Sequence, residues 1–186
     1  MTANKTNKVV VVGAGLMGTG IAHAFASSGF PTVIVDTNPE SLKQAYNSIE
    51  KILGDGVRLG KVSEDSARSS LERLTVSEDL SVAASGANLV LETVSEQLAV
   101  KKAVVTQAAA VMAENGIIAS NTSALSVTEI AASVPSPERF IGMHFFNPVH
   151  KMKLVEIVLG LATNDETVAI TRDYCEALGK TSIVVN

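Results

Sequence analysis

Residues 8–18 read Lys-Val-Val-Val-Val-Gly-Ala-Gly-Leu-Met-Gly, an apolar run that passes directly into a glycine-rich turn. The pattern predicts a buried strand, a tight turn and the start of a helix, with the glycines spaced as G-x-G-x-x-G. In this arrangement Gly13 permits the turn, Gly15 lets the backbone approach a pyrophosphate, and Gly18 lets the helix pack closely against the strand.

The helix and the strand that follow extend this motif. Leu16 and Met17 open the helix, whose N-terminus presents free N–H groups and a positive dipole end to phosphate. The next apolar run ends in Asp36, 18 residues after Gly18. A carboxylate there can accept hydrogen bonds from ribose hydroxyls and would repel a 2′-phosphate, and no Lys or Arg follows before Lys43, so we predict NAD rather than NADP. The alternative is that the glycines only pack a βαβ unit and Asp36 is a solvated strand end.

The composition indicates one sizeable domain over residues 1–186. Hydrophobic residues make up 46% of the chain and aromatic residues only 4%, which favours a core of small aliphatic side chains. A net charge of −4 argues against nucleic acid and anionic membranes as partners. The single cysteine, Cys175, is consistent with a reducing cytosol and is predicted to be a small helix residue. The polar N-terminus and the absence of a long apolar stretch lead us to expect a cytoplasmic protein.

Strand and helix patterns alternate along the rest of the chain. Asn38-Pro39-Glu40 begins a helix that the glycines of residues 54–56 are predicted to interrupt, and the charged stretch 57–73 is predicted to be a solvated helical arm. Capping boxes begin two further helices at Ser126 and Thr163. The other predicted elements are a long helix over 98–114 and strands over 8–12, 32–36, 74–76, 87–92, 117–120, 140–145, 154–159 and 181–185.

This order of elements predicts the fold class. Strands that alternate with helices pair in parallel through right-handed crossovers. The strands over 140–145 and 154–159 are joined by a loop too short for a helical crossover, so they are predicted to form an antiparallel hairpin. The predicted class is therefore α/β, a Rossmann-type, doubly wound and mostly parallel sheet with a mixed, antiparallel edge.

The same hairpin places a histidine beside a carboxylate. Glu156 lies inside an apolar strand, where a charge is costly unless it is paired, and the neighbouring strand carries His144. An enzyme that removes a hydride from an alcohol needs a base for the hydroxyl proton, and an imidazole oriented by a carboxylate suits that task. The alternative is that Glu156 faces solvent and His144 only packs. Of the other histidines, His23 is predicted to pack within the first helix and His150 to be solvated.

A polar cluster, Ser120-Asn121-Thr122-Ser123, follows the fifth predicted strand. Ligands of open α/β sheets bind outside the carboxyl ends of the strands, so these side chains could reach a nicotinamide or a substrate oxygen. An ordinary polar turn between strand and helix is an equally open interpretation.

Five segments together make the chain closely resemble the NAD-binding domain of L-3-hydroxyacyl-CoA dehydrogenases, including bacterial 3-hydroxybutyryl-CoA dehydrogenases. The resemblance covers essentially the whole chain and implies NAD-dependent oxidation of (3S)-3-hydroxyacyl-CoA to 3-oxoacyl-CoA, as in the β-oxidation of fatty acids. The segments are Val-Val-Gly-Ala-Gly-Leu-Met-Gly (11–18), Leu-Glu-Thr-Val-Ser-Glu (91–96), Ser-Asn-Thr-Ser-Ala-Leu (120–125), Gly-Met-His-Phe-Phe-Asn-Pro (142–148) and Lys-Leu-Val-Glu-Ile (153–157).

The resemblance also implies roles for individual residues and no metal. It implies that His144 is the catalytic base, that Glu156 is its electrostatic partner, and that Ser123 contacts the substrate oxygen. The residues that match cofactor contacts of the family are Asp36, Glu96, Lys101, Ser123 and Asn147. The arm with Lys61 resembles a projection near the coenzyme A moiety. Thr93 departs from the family, in which Ala is more usual, and is expected to add a hydroxyl near the dinucleotide.

Family members continue for roughly another hundred residues as a helical domain that closes the substrate cleft and forms a homodimer. Because this chain lacks that segment, we expect an isolated domain or a natural fragment that binds NAD but turns over acyl-CoA poorly. Two alternatives stay open: a related dehydrogenase of a sugar acid or of carnitine, and a non-catalytic nucleotide-binding module.

Overall fold

The computed structural model describes residues 3–186 and contains one eight-stranded sheet in the order β3-β2-β1-β4-β5-β6-β7-β8. All neighbouring strands are parallel except β6 and β7, which are antiparallel. The predicted fold class, including the antiparallel edge, is confirmed. The strands are β1 (Val9–Val12), β2 (Thr32–Val35), β3 (Leu74–Ser77), β4 (Leu89–Glu92), β5 (Ile117–Ser120), β6 (Phe140–Phe145), β7 (Leu154–Val158) and β8 (Thr181–Val185).

Helices cover both faces of this sheet, so the central strands are buried on both sides. Alternate residues of β1 pack into different cores: Val9 and Val11 into one cluster with Phe25 and Tyr174, Val10 and Val12 into another. The helices are α1 (Leu16–Ser27), α2 (Pro39–Arg58), α3 (Glu64–Glu72), α4 (Leu80–Ala84), α5 (Leu98–Ala109), α6 (Val127–Ala131) and α7 (Asp165–Ala177), with a 3-10 turn over Pro137–Arg139.

The turn between β1 and α1 needs its first and third glycines. Gly13 has φ of +106°, a backbone conformation that L side chains rarely adopt. A Cβ atom on Gly18 would lie 1.8 Å from the carbonyl oxygen of Gly13, so only glycine allows the helix to start this close to the strand. The turn and the packing predicted from these two positions are therefore confirmed.

The region after α1 differs from its prediction. The helix α2 does not stop at residues 54–56 but continues to Arg58. Gly56 serves close packing instead, because a Cβ atom there would lie 2.9 Å from the side chain of Val62 in the following turn. The stretch 57–73 is not simply a solvated arm, since α3 buries Ala67 and Ser70.

Two helix ends also differ from their predictions. Helix α5 ends at Ala109 rather than at residue 114, because the backbone beyond it bonds to the start of β4, with Ala113 N–H donating to the Ala87 carbonyl at 3.1 Å. Helix α7 is capped by Asn164, which accepts from Thr167 N–H, whereas the Thr163 hydroxyl donates to the Phe140 carbonyl. The predicted capping box at Thr163 is wrong for that reason. Within residues 3–186, no helix is long and apolar enough to cross a bilayer.

Candidate functional site

A cleft of about 830 Å³ opens at the carboxyl ends of β1, β2 and β4. The strand order reverses between β1 and β4, and open α/β sheets bind ligands at such a switch point. Gly13, Gly15, Asp36 and Thr93 line this cleft. A Cβ atom on Gly15 would meet no atom within 4 Å, so the backbone there borders open space. These features fit an NAD-type dinucleotide.

Asp36 closes the far side of the cleft and is already oriented. Its Oδ2 accepts from the Ala14 N–H at 2.8 Å, and its Oδ1 accepts from the Asn38 N–H at 2.9 Å. Each carboxylate oxygen keeps further acceptor capacity for a ribose hydroxyl. The same negative charge opposes a 2′-phosphate.

Thr93 is at the floor of the cleft, but its hydroxyl turns away from the cofactor space. It donates to the carbonyl oxygens of Val12 and Gly13, at 2.9 and 3.2 Å. The hydroxyl therefore ties β4 to the glycine turn. The hydroxyl that Thr93 is expected to add near the dinucleotide therefore lies at the cleft but is bonded to the backbone.

A second cavity, of about 370 Å³, adjoins the first along Thr93 and Val94. It brings together most of the residues that the sequence assigns to nicotinamide and substrate. Its lining includes Met17, Glu96, Lys101, Asn121, Ser123, His144, Phe146 and Asn147. Asn147, whose peptide bond to Pro148 is cis, is exposed at the edge of this cavity.

His144 and Glu156 meet across the antiparallel hairpin, directly opposite each other in the register of β6 and β7. The distance between His144 Nδ1 and Glu156 Oε2 is 2.7 Å, and the two side chains keep 20% and 30% of their surface exposed. Because an ionised carboxylate can only accept, Nδ1 is the donor in this bond, and Nε2 is the ring nitrogen left to contact a ligand. The Phe146 ring lies 4.6 Å from the imidazole, between ring centroids, and limits its movement.

The two other histidines and the cysteine lie where the sequence predicts them. His150 is exposed in the loop between β6 and β7, and His23 packs within α1. Burial, followed by the positive charges of His150 and Lys180, lowers the pKa of His23 to about 4. Cys175 is buried in α7, and this burial raises its pKa to about 12, so it is not a nucleophile.

Three of the four residues in the cluster after β5 are used internally. The Ser120 hydroxyl donates to Glu92 at 2.6 Å, Asn121 Oδ1 accepts from the Phe145 N–H at 2.8 Å, and the Thr122 hydroxyl donates to Glu96. Ser123 alone of the four leaves its hydroxyl at the cavity without a bond to another described residue. That Ser123 contacts a substrate oxygen or the nicotinamide stays a prediction, and its hydroxyl is available at the cavity for such a bond.

Glu92 is the feature that the sequence prediction missed. It lies fully buried at the end of β4 and pairs with Lys101 of α5, with 2.8 Å between its Oε1 and the Lys101 Nζ. Lys101 itself keeps 1% of its side chain exposed and also contacts Glu96 Oε2 at 3.1 Å. The signal was available, because Glu92 follows the apolar run Leu89-Val90-Leu91 just as Glu156 stands within another such run.

The Glu96 carboxylate accepts hydrogen bonds from Lys101 of α5 on one oxygen and from Thr122 and the Ser123 N–H on the other. Burial alone would raise its pKa, but hydrogen bonds from Thr122 and Lys101, the charge of Lys101 and the Ser123 N–H together lower it. Its carboxylate is therefore held in the ionised form at the wall of the cavity. Among residues 3–186, no group of three His, Cys, Asp or Glu side chains is placed to hold a metal ion.

Residues 8–186 match the family model described as the NAD binding domain of 3-hydroxyacyl-CoA dehydrogenase. The chain is 40% identical over 179 residues to a probable 3-hydroxybutyryl-CoA dehydrogenase of Bacillus subtilis. The aligned part covers 96% of this chain and 62% of that protein. It is 43% identical over 176 residues to the fatty acid oxidation complex subunit alpha of Idiomarina loihiensis, covering 95% of this chain and 24% of that protein.

Solved structures agree with these matches. The crystal structure of (S)-3-hydroxybutyryl-CoA dehydrogenase from Ralstonia eutropha is similar with a TM-score of 0.93 at 37% identity, covering 97% of this chain and 63% of that one. The chain thus spans less than two thirds of the length of each of these three relatives.

Proposed function

Since this chain belongs to the family of NAD-binding domains of 3-hydroxyacyl-CoA dehydrogenases, we propose that it is the cofactor-binding, His/Glu-bearing domain of an enzyme that oxidises (3S)-3-hydroxyacyl-CoA to 3-oxoacyl-CoA. The observation that carries the proposal is the His144–Glu156 pair, which opens into a cavity continuous with the dinucleotide cleft. Residues 1–186 are proposed to act as one domain.

The glycine turn and Asp36 bind the dinucleotide in this proposal. The backbone of Gly13 and Gly15, with Leu16 and Met17 at the first turn of α1, surrounds the pyrophosphate, and the helix dipole favours its negative charge. Asp36 accepts from the adenosine ribose at the other end of the cleft. The residues that would hold the nicotinamide end of the cofactor are those that line the second cavity, Glu96, Lys101, Ser123 and Asn147.

Bound NAD⁺ supplies the acceptor for the hydride that leaves C3 of the substrate. His144 takes the hydroxyl proton on Nε2 as the C3–O bond becomes a carbonyl. Glu156 keeps the imidazole in the tautomer with Nδ1 protonated and stabilises the imidazolium that forms. The Ser123 hydroxyl donates to the substrate oxygen and holds it in reach of Nε2. In the reverse direction the imidazolium returns the proton to the alkoxide oxygen.

A direct test compares cofactor binding and turnover. The chain is expected to bind NADH more tightly than NADPH in a fluorescence titration, and the longer enzyme that carries it is expected to reduce acetoacetyl-CoA with NADH. His144→Gln is expected to lower that turnover about 10²- to 10⁴-fold, the usual contribution of a general base, while the Kd for NADH stays unchanged. His150→Gln, an exposed histidine of the adjoining loop, is the matched control and should retain turnover.

Turnover of His144→Gln at the wild-type rate would remove the base assignment. Full catalytic efficiency of residues 1–186 with acetoacetyl-CoA would show that no further domain is needed. The acyl-CoA substrate, the homodimer of the longer enzyme and its cytoplasmic location are proposed from the family alone, and sedimentation of the longer enzyme tests the dimer.

A further inference from the structure

The ion pair between Glu92 and Lys101 is sealed from solvent, and each polar atom in it has a partner. Lys101 Nζ donates to Glu92 Oε1, to Glu96 Oε2 and to the Val94 carbonyl, at 2.8, 3.1 and 3.3 Å. The ammonium group therefore uses its three donors. Glu92 Oε1 also accepts from the Val94 N–H at 2.7 Å, and Glu92 Oε2 accepts from Ser120.

Glu96 connects this buried pair to the segment that carries Ser123. Its Oε2 is held by Lys101, and its Oε1 accepts from the Thr122 hydroxyl and from the backbone N–H groups of Ser123 and Ala124, at 3.1 and 3.3 Å for the two N–H groups. The segment that carries Ser123 is thus fastened to a carboxylate whose other oxygen is fastened to Lys101. The positions of Glu92 and Ser123 are linked through two intermediate side chains.

We propose that Glu92 is a positioning residue for the reaction, which acts through Lys101 and Glu96 to hold the Ser123 backbone at the edge of the His144 cavity. The inference rests on the proposed function, because Ser123 matters only if the substrate oxygen binds there. Glu92 itself is not exposed to the cavity and touches no reacting atom.

The burial of Lys101 explains why its partner is a charged carboxylate and not a neutral side chain. An ammonium group in the interior must be neutralised by a nearby carboxylate, so Glu92 restricts Lys101 Nζ to one location. A neutral partner would hold Lys101 by a weaker hydrogen bond and would let it follow Glu96 toward solvent. The loop after β5 would then lose the fixed anchor on which its two N–H bonds depend.

The test measures amide exchange in the chain itself, without cofactor. The main variant is Glu92→Gln combined with Lys101→Met, which removes the anchor of Glu96 without leaving a buried charge. We expect the exchange of the Ser123 and Ala124 amides to accelerate about tenfold, the factor that one hydrogen bond to a charged group supports. The Asn121 amide, which donates to the Glu92 backbone carbonyl at 2.9 Å, should keep its rate.

Thr171→Val is the matched control for a loss of stability alone. Thr171 is fully buried in α7 and donates to the Thr167 carbonyl at 2.7 Å, far along the chain from the cavity. Its variant should change exchange at Ser123 and Ala124 no more than elsewhere. Equal acceleration at all amides in the double variant, or unchanged rates at Ser123 and Ala124, would overturn the positioning role.

Two further measurements keep the test decisive. Glu92→Gln alone, in which Lys101 is kept, should accelerate the same two amides in the same direction, and no acceleration there overturns the proposal. In the longer enzyme, the double variant is expected to lower kcat with acetoacetyl-CoA about tenfold. If the wild type does not bind NADH, the proposed function fails, but the exchange result still decides whether Glu92 positions Ser123.

Discussion

Two pairs of a carboxylate with a nitrogen-bearing side chain, His144–Glu156 and Lys101–Glu92, differ in how much water reaches them. The His144–Glu156 pair at the antiparallel edge keeps 20% and 30% of its side-chain surface exposed, whereas the Lys101–Glu92 pair keeps 1% and 0%. An open pair can exchange a proton with a ligand, and a sealed pair cannot. The same chemical motif is thus proposed to serve proton transfer in one place and fixed geometry in the other.

Because of this difference, the two pairs should respond differently when one partner is removed. A charge without its partner is tolerated where water can solvate it, and it is strongly destabilising in the interior. Changes to the sealed pair should therefore be seen first in the free energy of unfolding. Changes to the open pair should be seen first in catalysis.

The largest expected effect follows from removing the ammonium group of the sealed pair. Lys101→Met leaves the Glu92 carboxylate buried without a counter-charge, which should lower the free energy of unfolding by about 3–5 kcal/mol. Urea denaturation measures this loss. Adding Glu92→Gln to Lys101→Met should restore most of the stability, and a single variant as stable as the wild type would contradict the account.

The second-largest expected effect follows from changing the His144–Glu156 pair, and it should appear in turnover. Glu156→Gln keeps the size of the side chain but allows the wrong imidazole tautomer, so kcat of the longer enzyme should fall about 100-fold. The free energy of unfolding should change by less than about 1 kcal/mol, because both side chains are partly solvated. A loss of stability without a loss of turnover would reverse the comparison between the two pairs.

His23 adds a third case to the comparison, because it is a half-buried ionisable side chain without an acidic partner among the described residues. Within the described chain, its Nδ1 is a buried ring nitrogen with no hydrogen-bond partner, and burial lowers its pKa from 6.5 to about 4. The unfolded chain therefore binds a proton more readily between these values. Stability from this group is complete above pH 6.5 and is lost as the pH falls through 4.

The expected loss is about 2 kcal/mol after allowance for partial solvent exposure of the ring. Unfolding experiments over this pH range measure it, and the His23→Leu variant should show a correspondingly flatter dependence. If wild type and variant lose stability equally as the pH falls, His23 is not the group responsible.

The smallest expected effect is at Thr93, next to the sealed pair in the chain. Thr93→Ala removes the bonds to the Val12 and Gly13 carbonyls and should lower the free energy of unfolding by about 1 kcal/mol. The Kd for NADH should stay within about threefold of the wild-type value, since the hydroxyl turns away from the cleft. A large change in that Kd would show that the hydroxyl does reach the dinucleotide.

The sequence predicted those features that depend on local pattern or on simple topology. The glycine turn, Asp36 and the β6–β7 hairpin were predicted because backbone geometry restricts which residues and loop lengths are possible there. The pairing of His144 with Glu156 followed from the hairpin, since residues opposite each other in an antiparallel pair share a face.

The sealed pair and several helix ends could not be predicted in the same way. Lys101 lies on α5, nine residues after Glu92, and only the crossover geometry brings its Nζ back to the end of β4. The ends of α2 and α5 depend on tertiary contacts, with Val62 packing on Gly56 and Ala113 bonding to Ala87. Such contacts override the local propensity of glycines and of helix formers.

Proton transfer by His144 requires a nicotinamide ring that lies beside its imidazole. Intermolecular nuclear Overhauser effects between bound NADH and the labelled chain measure this directly. We expect a cross-peak between the nicotinamide H4 protons and the Hε1 proton of His144, and its persistence in Glu156→Gln. Binding of NADH with nicotinamide cross-peaks only to residues of α2, and none to His144, would contradict the account.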